Sequence, residues 1–437
     1  MQALGVDVGS SSIKAAILDL ESGTIRDVVQ TPFPAPMPGR PAGHFEVDAD
    51  VVVEECRRLI DGLMAISSPE AILFCGQHGG FVLVDQELNR VSPYVSWRDL
   101  RTAEPSGGEG SPSVLQMARA ELGEELLQTV GNELAPGGTV ALLYWMKSRG
   151  LLPENVTPLG IAEYVLLKLG GGEPVIEPTC AIGMIDFSTM GQPRRVYEQL
   201  GLGGVRWPAI KTYRERAGTY RCTVMFPVLG DHQCALLGAG LEAGELSVNV
   251  STGSQVSLLT QTPELSPKYQ TRCYFDGHLL NTVTYLPAGR ALNSLVDLLT
   301  EIPRAAGVVI DDPWKWIASL VESSEAADLR TKITFFPGPM GSRGEISNIS
   351  IDNLRVGALF RAAFASMADN YQEAARWVDP AGKSSRLVFS GGLAQKFAAI
   401  RDEVISRFHK PHRLNEAAEE TLVGLLRAGR VVAGITL

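Results

Sequence analysis

One pattern occurs twice in this chain: Leu4-Gly5-Val6-Asp7-Val8-Gly9-Ser10-Ser11-Ser12 near the start, and Leu246-Ser247-Val248-Asn249-Val250-Ser251-Thr252-Gly253-Ser254 beyond the middle. In each copy a short apolar strand with one embedded polar side chain runs into small residues. A second apolar run follows, Ala15 to Asp19 and Gln255 to Thr260. Two such runs across small turn residues predict a hairpin. Glycines and hydroxyls at its tip let backbone N–H groups approach an anion closely. A single copy reads as readily as an ordinary turn. Two copies predict two related lobes whose tips grip a polyphosphate from both sides.

The length agrees, since 437 residues exceed what one compact core accommodates. The repeat divides the chain into domains over 1–237 and 238–437, with a hinge near 235–245. A 45% hydrophobic share beside 20% charged residues is that of a soluble globular protein with large cores. The formal net charge of −10 argues against a nucleic-acid partner held through its phosphates. The start of the chain has no basic and apolar leader regions, and no apolar run is long enough for a membrane span, so a cytoplasmic location is expected. The six cysteines lack any CxxC pair and read as buried free thiols. The six histidines lack ligand spacing, so any cation is expected to arrive with a nucleotide.

Strand, strand, strand, helix, strand is the predicted order at the start of the chain. Glu21-Ser22-Gly23 is the second turn, and Val52, Cys56, Leu59, Ile60 and Leu63 form the buried stripe of a helix capped by Asp48 or Asp50. Ala71 to Cys75 returns as a buried strand, and Pro105 to Pro112 is a surface loop. The second half repeats the plan: a hairpin, an extended segment from Cys273 to Leu286, a long helix over 350–378, and a buried strand from Leu387 that breaks at Gly391-Gly392. Asp231 follows an apolar run and a glycine and precedes a helix expected over 233–241, so it stands at a strand end. It is either a reactive carboxylate or a helix N-cap. Asp7 interrupts an apolar strand, where a carboxylate is costly unless paired or close to a cation.

Five segments in order, Gly5-Val6-Asp7-Val8-Gly9, Gly76-Gln77-His78-Gly79, Trp97-Arg98-Asp99-Leu100-Arg101, Gly230-Asp231-His232-Gln233 and Ser390-Gly391-Gly392, resemble the FGGY family of carbohydrate kinases over nearly the whole chain. The resemblance implies an α/β fold of two actin/hexokinase-like (ribonuclease H-like) domains with a nucleotide cleft between them. Gly131 to Trp145, Tyr274 to Gly277, Gly341 to Ile349 and Glu420 to Leu426 resemble the sedoheptulokinase branch in particular.

By this resemblance the chain is an ATP- and Mg²⁺-dependent ketose kinase, most similar to one acting on sedoheptulose, with a pentulose (ribulose or xylulose) or another polyol as alternative. Its expected partners are a sugar and ATP, with room for a homodimer and no membrane or nucleic acid. Asp231 is then the base that takes the proton of the terminal hydroxyl, and with Asp7 it serves the metal. Gly9, Ser10, Ser11, Ser12 and Lys14 face the phosphates from one lobe, and Thr252 and Gly253 from the other. Gly289, Asn293, Gly391, Gly392 and Gln395 line the nucleotide cleft, or else serve helix packing. Gln77, His78, Trp97, Asp99, Arg101 and His232 fall to the sugar cleft, with core packing open for Trp97 and a bracing ion pair open for Asp99 and Arg101. His232 departs from the amide that many relatives carry at this place. A nucleotide-driven switch of the same fold is the rival class, whereas a dinucleotide dehydrogenase lacks its GxGxxG.

Overall fold

The computed structural model describes residues 1–107, 110–324 and 328–435, so the loop expected over 105–112 lies partly outside the described residues. Two large sheets organise the chain. The first contains β1 (Gln2–Val8), β2 (Ser12–Asp19), β3 (Thr24–Pro32), β4 (Ala71–Gly76), β5 (Gly218–Tyr220), β6 (Thr223–Met225) and β7 (Leu229–Gly230). The second contains β8 (Glu245–Asn249), β9 (Ser254–Thr260), β10 (Gln270–Cys273), β11 (Leu279–Leu286), β12 (Arg386–Ser390) and β13 (His412–Leu414). The first sheet runs β3-β2-β1-β4-β6-β5, and the second, inside its edge strand β10, runs β11-β9-β8-β12-β13. In both, the first two pairings are antiparallel and the next two parallel. The duplication seen in nine residues of sequence therefore extends to five strands of topology.

The pleat of β1 sorts its side chains. Leu4, Val6 and Val8 join the core under α1 (Ala49–Met64) and α2 (Ile161–Gly170), while Ala3 and Asp7 point to the other face. That other face is covered by α3 (Asp231–Gly238) and the C-terminal helix α6 (Glu420–Val432). Leu236, Leu422 and Leu425 pack there with Leu18, Leu73 and Leu229 of the first sheet and with Leu259, Leu280 and Val388 of the second. The two lobes thus share a third core. The helices α3 and α6 meet backbone to backbone: a Cβ on Gly424 would lie 1.9 Å from the Cys234 carbonyl, and one on Gly238 would lie 2.0 Å from that of Glu420. On the second sheet, α4 (Gly289–Ala305) and α5 (Val356–Val378) close the remaining core.

Several expected elements shift. The helix expected over 350–378 begins at Val356, because Ser350 and Asn353 exchange side-chain hydrogen bonds with each other's backbone N–H and make a separate turn. The helix expected over 233–241 runs instead from Asp231 to Gly238, and Gly240 at φ 66° ends it. The extended segment from Cys273 to Leu286 is two antiparallel strands folded about Asp276-Gly277, both with positive φ. Cys222 is exposed rather than buried, since it shares with Arg221 a two-residue hairpin turn in which both have positive φ. The other five cysteines are buried and free. Among the described residues no helix is long and apolar enough to cross a membrane.

Candidate active site

The first tip joins β1 to β2 and carries Gly9, Ser10, Ser11 and Ser12. It is braced from behind: Gln77 donates to the Gly9 carbonyl at 3.4 Å while accepting from the Tyr94 hydroxyl, and Arg98 donates to the Ser10 carbonyl at 2.6 Å. Gln77, assigned by sequence to the sugar, is therefore engaged in supporting the tip. Asp7 lies just before it on the α6 face. Its Oδ2 accepts from the Thr421 hydroxyl at 2.7 Å, and its buried Oδ1 has no partner among the described residues. Burial holds this carboxyl above its usual range, against the opposing pull of Thr421 and Lys14. Lys14 stands opposite Asp7 in the strand register and pairs with Glu419 at 2.5 Å.

The second tip is satisfied from within. Asn249, the counterpart of Asp7, donates to the Ser390 hydroxyl at 3.0 Å and accepts from that of Ser251 at 2.8 Å; Tyr371 donates to Ser254. Thr252 and Gly253 remain at the surface, and a Cβ on Gly253 or Gly392 would meet nothing within 4 Å. Gly391 adopts φ 88°, where a Cβ would lie 2.5 Å from the Val250 carbonyl. Gly289 donates to the Ser251 carbonyl, so the start of α4 closes on this tip. Asn293, one turn further, points to solvent from α4. Gln395 spends its amide on the Asn415 and Ala417 carbonyls, a brace for the loop before α6.

Asp231 opens α3, with Gly230 rather than the aspartate as N-cap. Its side chain is 34% exposed, and its Oδ1 accepts from the His232 N–H at 2.7 Å. Burial, with the Asp7 charge adding to it, pushes this carboxyl up to about 7. His78 Nδ1 approaches the same oxygen at 3.3 Å. Burial and the nearby Arg272 charge hold His78 down to about 3, so the contact is not an ion pair at neutral pH. Gly230 has no substitute: its Cβ would lie 2.1 Å from His78 Nε2 and 2.7 Å from the Thr179 carbonyl. Beneath it, the buried Glu177 carboxylate accepts from the N–H and hydroxyl of Thr179, whose hydroxyl oxygen accepts from the Gly230 N–H at 3.0 Å. This relay fixes the strand end that presents Asp231. Burial pushes both Glu177 and neighbouring Glu163 up to about 7.

Asp99 and Arg101 turn out to be the brace. Asp99 is fully buried and accepts from the Phe45 N–H and from the Arg101 N–H, Nε and Nη2, while Arg101 also donates to Glu46 at 2.6 Å. No Asp99 oxygen is left for a ligand. Trp97 is half-buried, its carbonyl so close to Gly137 that a Cβ there would lie 1.8 Å away. His232 is buried, with Nδ1 accepting from Arg272 at 3.3 Å and Nε2 unpartnered.

Thr421, Arg272, Glu133 and the Glu177–Thr179 relay escape sequence reading. Glu133 and Thr421 fall inside stretches that the family resemblance marks, but their partners Arg272 and Asp7 lie far away in the chain, so no local pattern pairs them. Among the described residues no group of three His, Cys, Asp or Glu side chains could hold a metal. The unpartnered, buried Asp7 Oδ1 nevertheless suits a hydrated cation that also has phosphate ligands.

Residues 2–221 match the N-terminal domain of the FGGY family of carbohydrate kinases. The chain is 27% identical over 199 residues to a xylulose kinase of Staphylococcus xylosus, covering 42% of this chain and 37% of that one. It is 22% identical over 298 residues to the xylulose kinase of Bacillus subtilis, covering 63% and 56%. The chain thus spans little more than half the length of these curated relatives at most. Among solved structures, a gluconate kinase from Lactobacillus acidophilus superposes with TM-score 0.85 at 16% identity, covering 99% of this chain and 89% of that one. A Plasmodium falciparum glycerol kinase with ADP superposes with TM-score 0.82 at 15% identity, covering 100% and 90%. These likenesses show the shared two-lobed α/β fold.

Proposed function

Because this chain belongs to the FGGY family of carbohydrate kinases, we propose that it moves the terminal phosphoryl group of ATP to the terminal hydroxyl of a ketose, with a pentulose such as xylulose first. Sedoheptulose, to which Gly131 to Trp145 and its companion stretches point, is the longer-chain alternative; the names of the curated relatives favour the pentulose. The observation that carries the reading is Asp231. It is a one-third exposed carboxyl at the start of a helix packed between the lobes, within the electrostatic reach of Asp7 and 3.3 Å from His78 Nδ1.

In this mechanism backbone N–H groups and hydroxyls of Gly9, Ser10, Ser11 and Ser12 hold the phosphates from one side, and Thr252 and Gly253 from the other. Gly391 and Gly392 admit the flat base against bare backbone, beside Gly289 and Asn293. Asp7, through its unpartnered oxygen, and Asp231 would hold Mg²⁺, which supplies neutralisation of the phosphate charge. Asp231 accepts the acceptor's proton as the new P–O bond forms, and His78 and His232 orient the hydroxyl toward it. Trp97 walls the sugar side, while Asp99 and Arg101 hold the loop that carries it. Closure of the lobes over both substrates excludes water. Sugar and ATP are the partners, and the cytoplasm is where both are met.

The decisive experiment is coupled ADP release with MgATP over C4 to C7 ketoses and polyols, on wild type and Asp231→Asn. One acceptor that stimulates release in wild type, and not in the variant, supports the kinase. Hydrolysis indifferent to every acceptor and to the substitution favours the switch reading instead.

A further inference from the structure

Arg272 lies on β10 of the second lobe, yet its Nε donates to Glu133 Oε1 of the first lobe at 2.5 Å. The two side chains are only 10% and 6% exposed. Desolvating both charges is costly, so the pair persists only where its surroundings are rigid. They are. The Thr271 N–H donates to the Gly131 carbonyl at 3.0 Å, and Gly131 at φ 66° leaves no room for a side chain, since a Cβ would lie 2.0 Å from the Thr271 carbonyl. Asn132 donates to the Pro267 carbonyl, and Arg119 donates to both Asn132 and the Leu134 carbonyl, locking the loop that presents Glu133.

Only part of this pair's capacity is spent. A guanidinium has five N–H donors in a fork. Nε serves Glu133 and Nη1 reaches His232 Nδ1, next in sequence to Asp231; Nη2 and Glu133 Oε2 have no hydrogen bond among the described residues, and neither is enclosed. Arg272 thus reaches the residue next to Asp231, whose Oδ1 accepts from the His232 N–H at 2.7 Å and lies 3.3 Å from His78 Nδ1. An unspent donor–acceptor fork matches a polyol: the guanidinium donates to one hydroxyl and the carboxylate accepts from its neighbour.

We propose that Arg272 and Glu133 form a subsite spanning both lobes that binds the acceptor hydroxyls farthest from the one phosphorylated. Sugar chain length and configuration are then read where the lobes meet. This rests on the ketose-kinase reading. The test is steady-state kinetics with D-xylulose and with three-carbon dihydroxyacetone on wild type, Arg272→Lys, and the double variant Arg272→Gln with Glu133→Gln, which leaves no unpaired buried charge. The expected result is a KM for D-xylulose raised about tenfold or more in each, a smaller rise for dihydroxyacetone, and a KM for MgATP within about twofold of wild type. Equal penalties for both acceptors, or an unchanged KM for D-xylulose, overturn the subsite. Wild type that releases no ADP with any acceptor sinks the kinase reading instead, and calorimetric titration with D-xylulose then decides the subsite alone: binding lost in both variants keeps it, and binding that is equal or absent throughout ends it.

Discussion

The two hairpin tips are built on one plan and carry opposite chemistry. At the first, Asp7 keeps one buried oxygen without a partner and leans on Thr421 from the far end of the chain. At the second, Asn249 occupies the same strand position but closes its hydrogen bonds on Ser390 and Ser251 of its own lobe. The first tip is left electrostatically incomplete, while the second is neutral and self-supporting. A similar contrast recurs deeper in the lobes. Glu245 of the second is paired with Arg386 and Arg413, whereas Glu163 and Glu177 of the first are buried with no arginine or lysine salt bridge among the described residues. Duplication kept the scaffold, and uncompensated acid gathered in one copy.

Substitutions that erase this asymmetry should cost the most. Asp231→Asn removes the acid that feels the Asp7 charge; kcat is expected to fall by about 10³-fold, measured by ADP release with the best acceptor. Asp7→Asn makes the first tip resemble the second and should lower kcat/KM about 10²-fold, with a steeper need for Mg²⁺. Should Asn249→Asp prove more damaging than Asp7→Asn, the cation belongs to the second tip and the contrast is inverted.

Gly424→Val drives a side chain into the Cys234 carbonyl where α3 crosses α6. It should destabilise by about 1–3 kcal/mol, read as a lower denaturant midpoint. The pH dependence of stability isolates the unpaired acids. In the folded chain Glu163 and Glu177 keep their protons up to about pH 7, but the unfolded chain releases them from about pH 4.5. Their stabilisation is therefore complete below pH 4.5 and is lost as the pH rises through 7. Glu163→Gln should gain on wild type across that window by on the order of 2 kcal/mol and then level off, in thermal melts from pH 5 to 8. A flat difference would mean that this carboxyl is compensated after all. The smallest effect belongs to the self-satisfied tip: Asn249→Ala should cost about 1 kcal/mol of stability, visible in denaturant titration.

Adjacent residues were enough to locate the repeated hairpins, the α1 stripe from Val52 to Leu63, and the placing of Asp7 within a strand and Asp231 at a strand end, because alternation and 3.6-residue spacing are properties of neighbours. They could not tell whether Asp99 and Arg101 touch a ligand or each other, since a buried acid two residues from an arginine reads alike in both cases. Glu46 and the Phe45 N–H, brought in from another segment, decided it. The hydroxyl that orients Asp7 lies 414 residues away in the chain, and the acid that receives Arg272 lies 139 away. Local pattern fixes which side of a strand a group faces. What it meets there is settled only when helices and lobes pack, because desolvation makes each buried polar group depend on whichever partner the fold delivers.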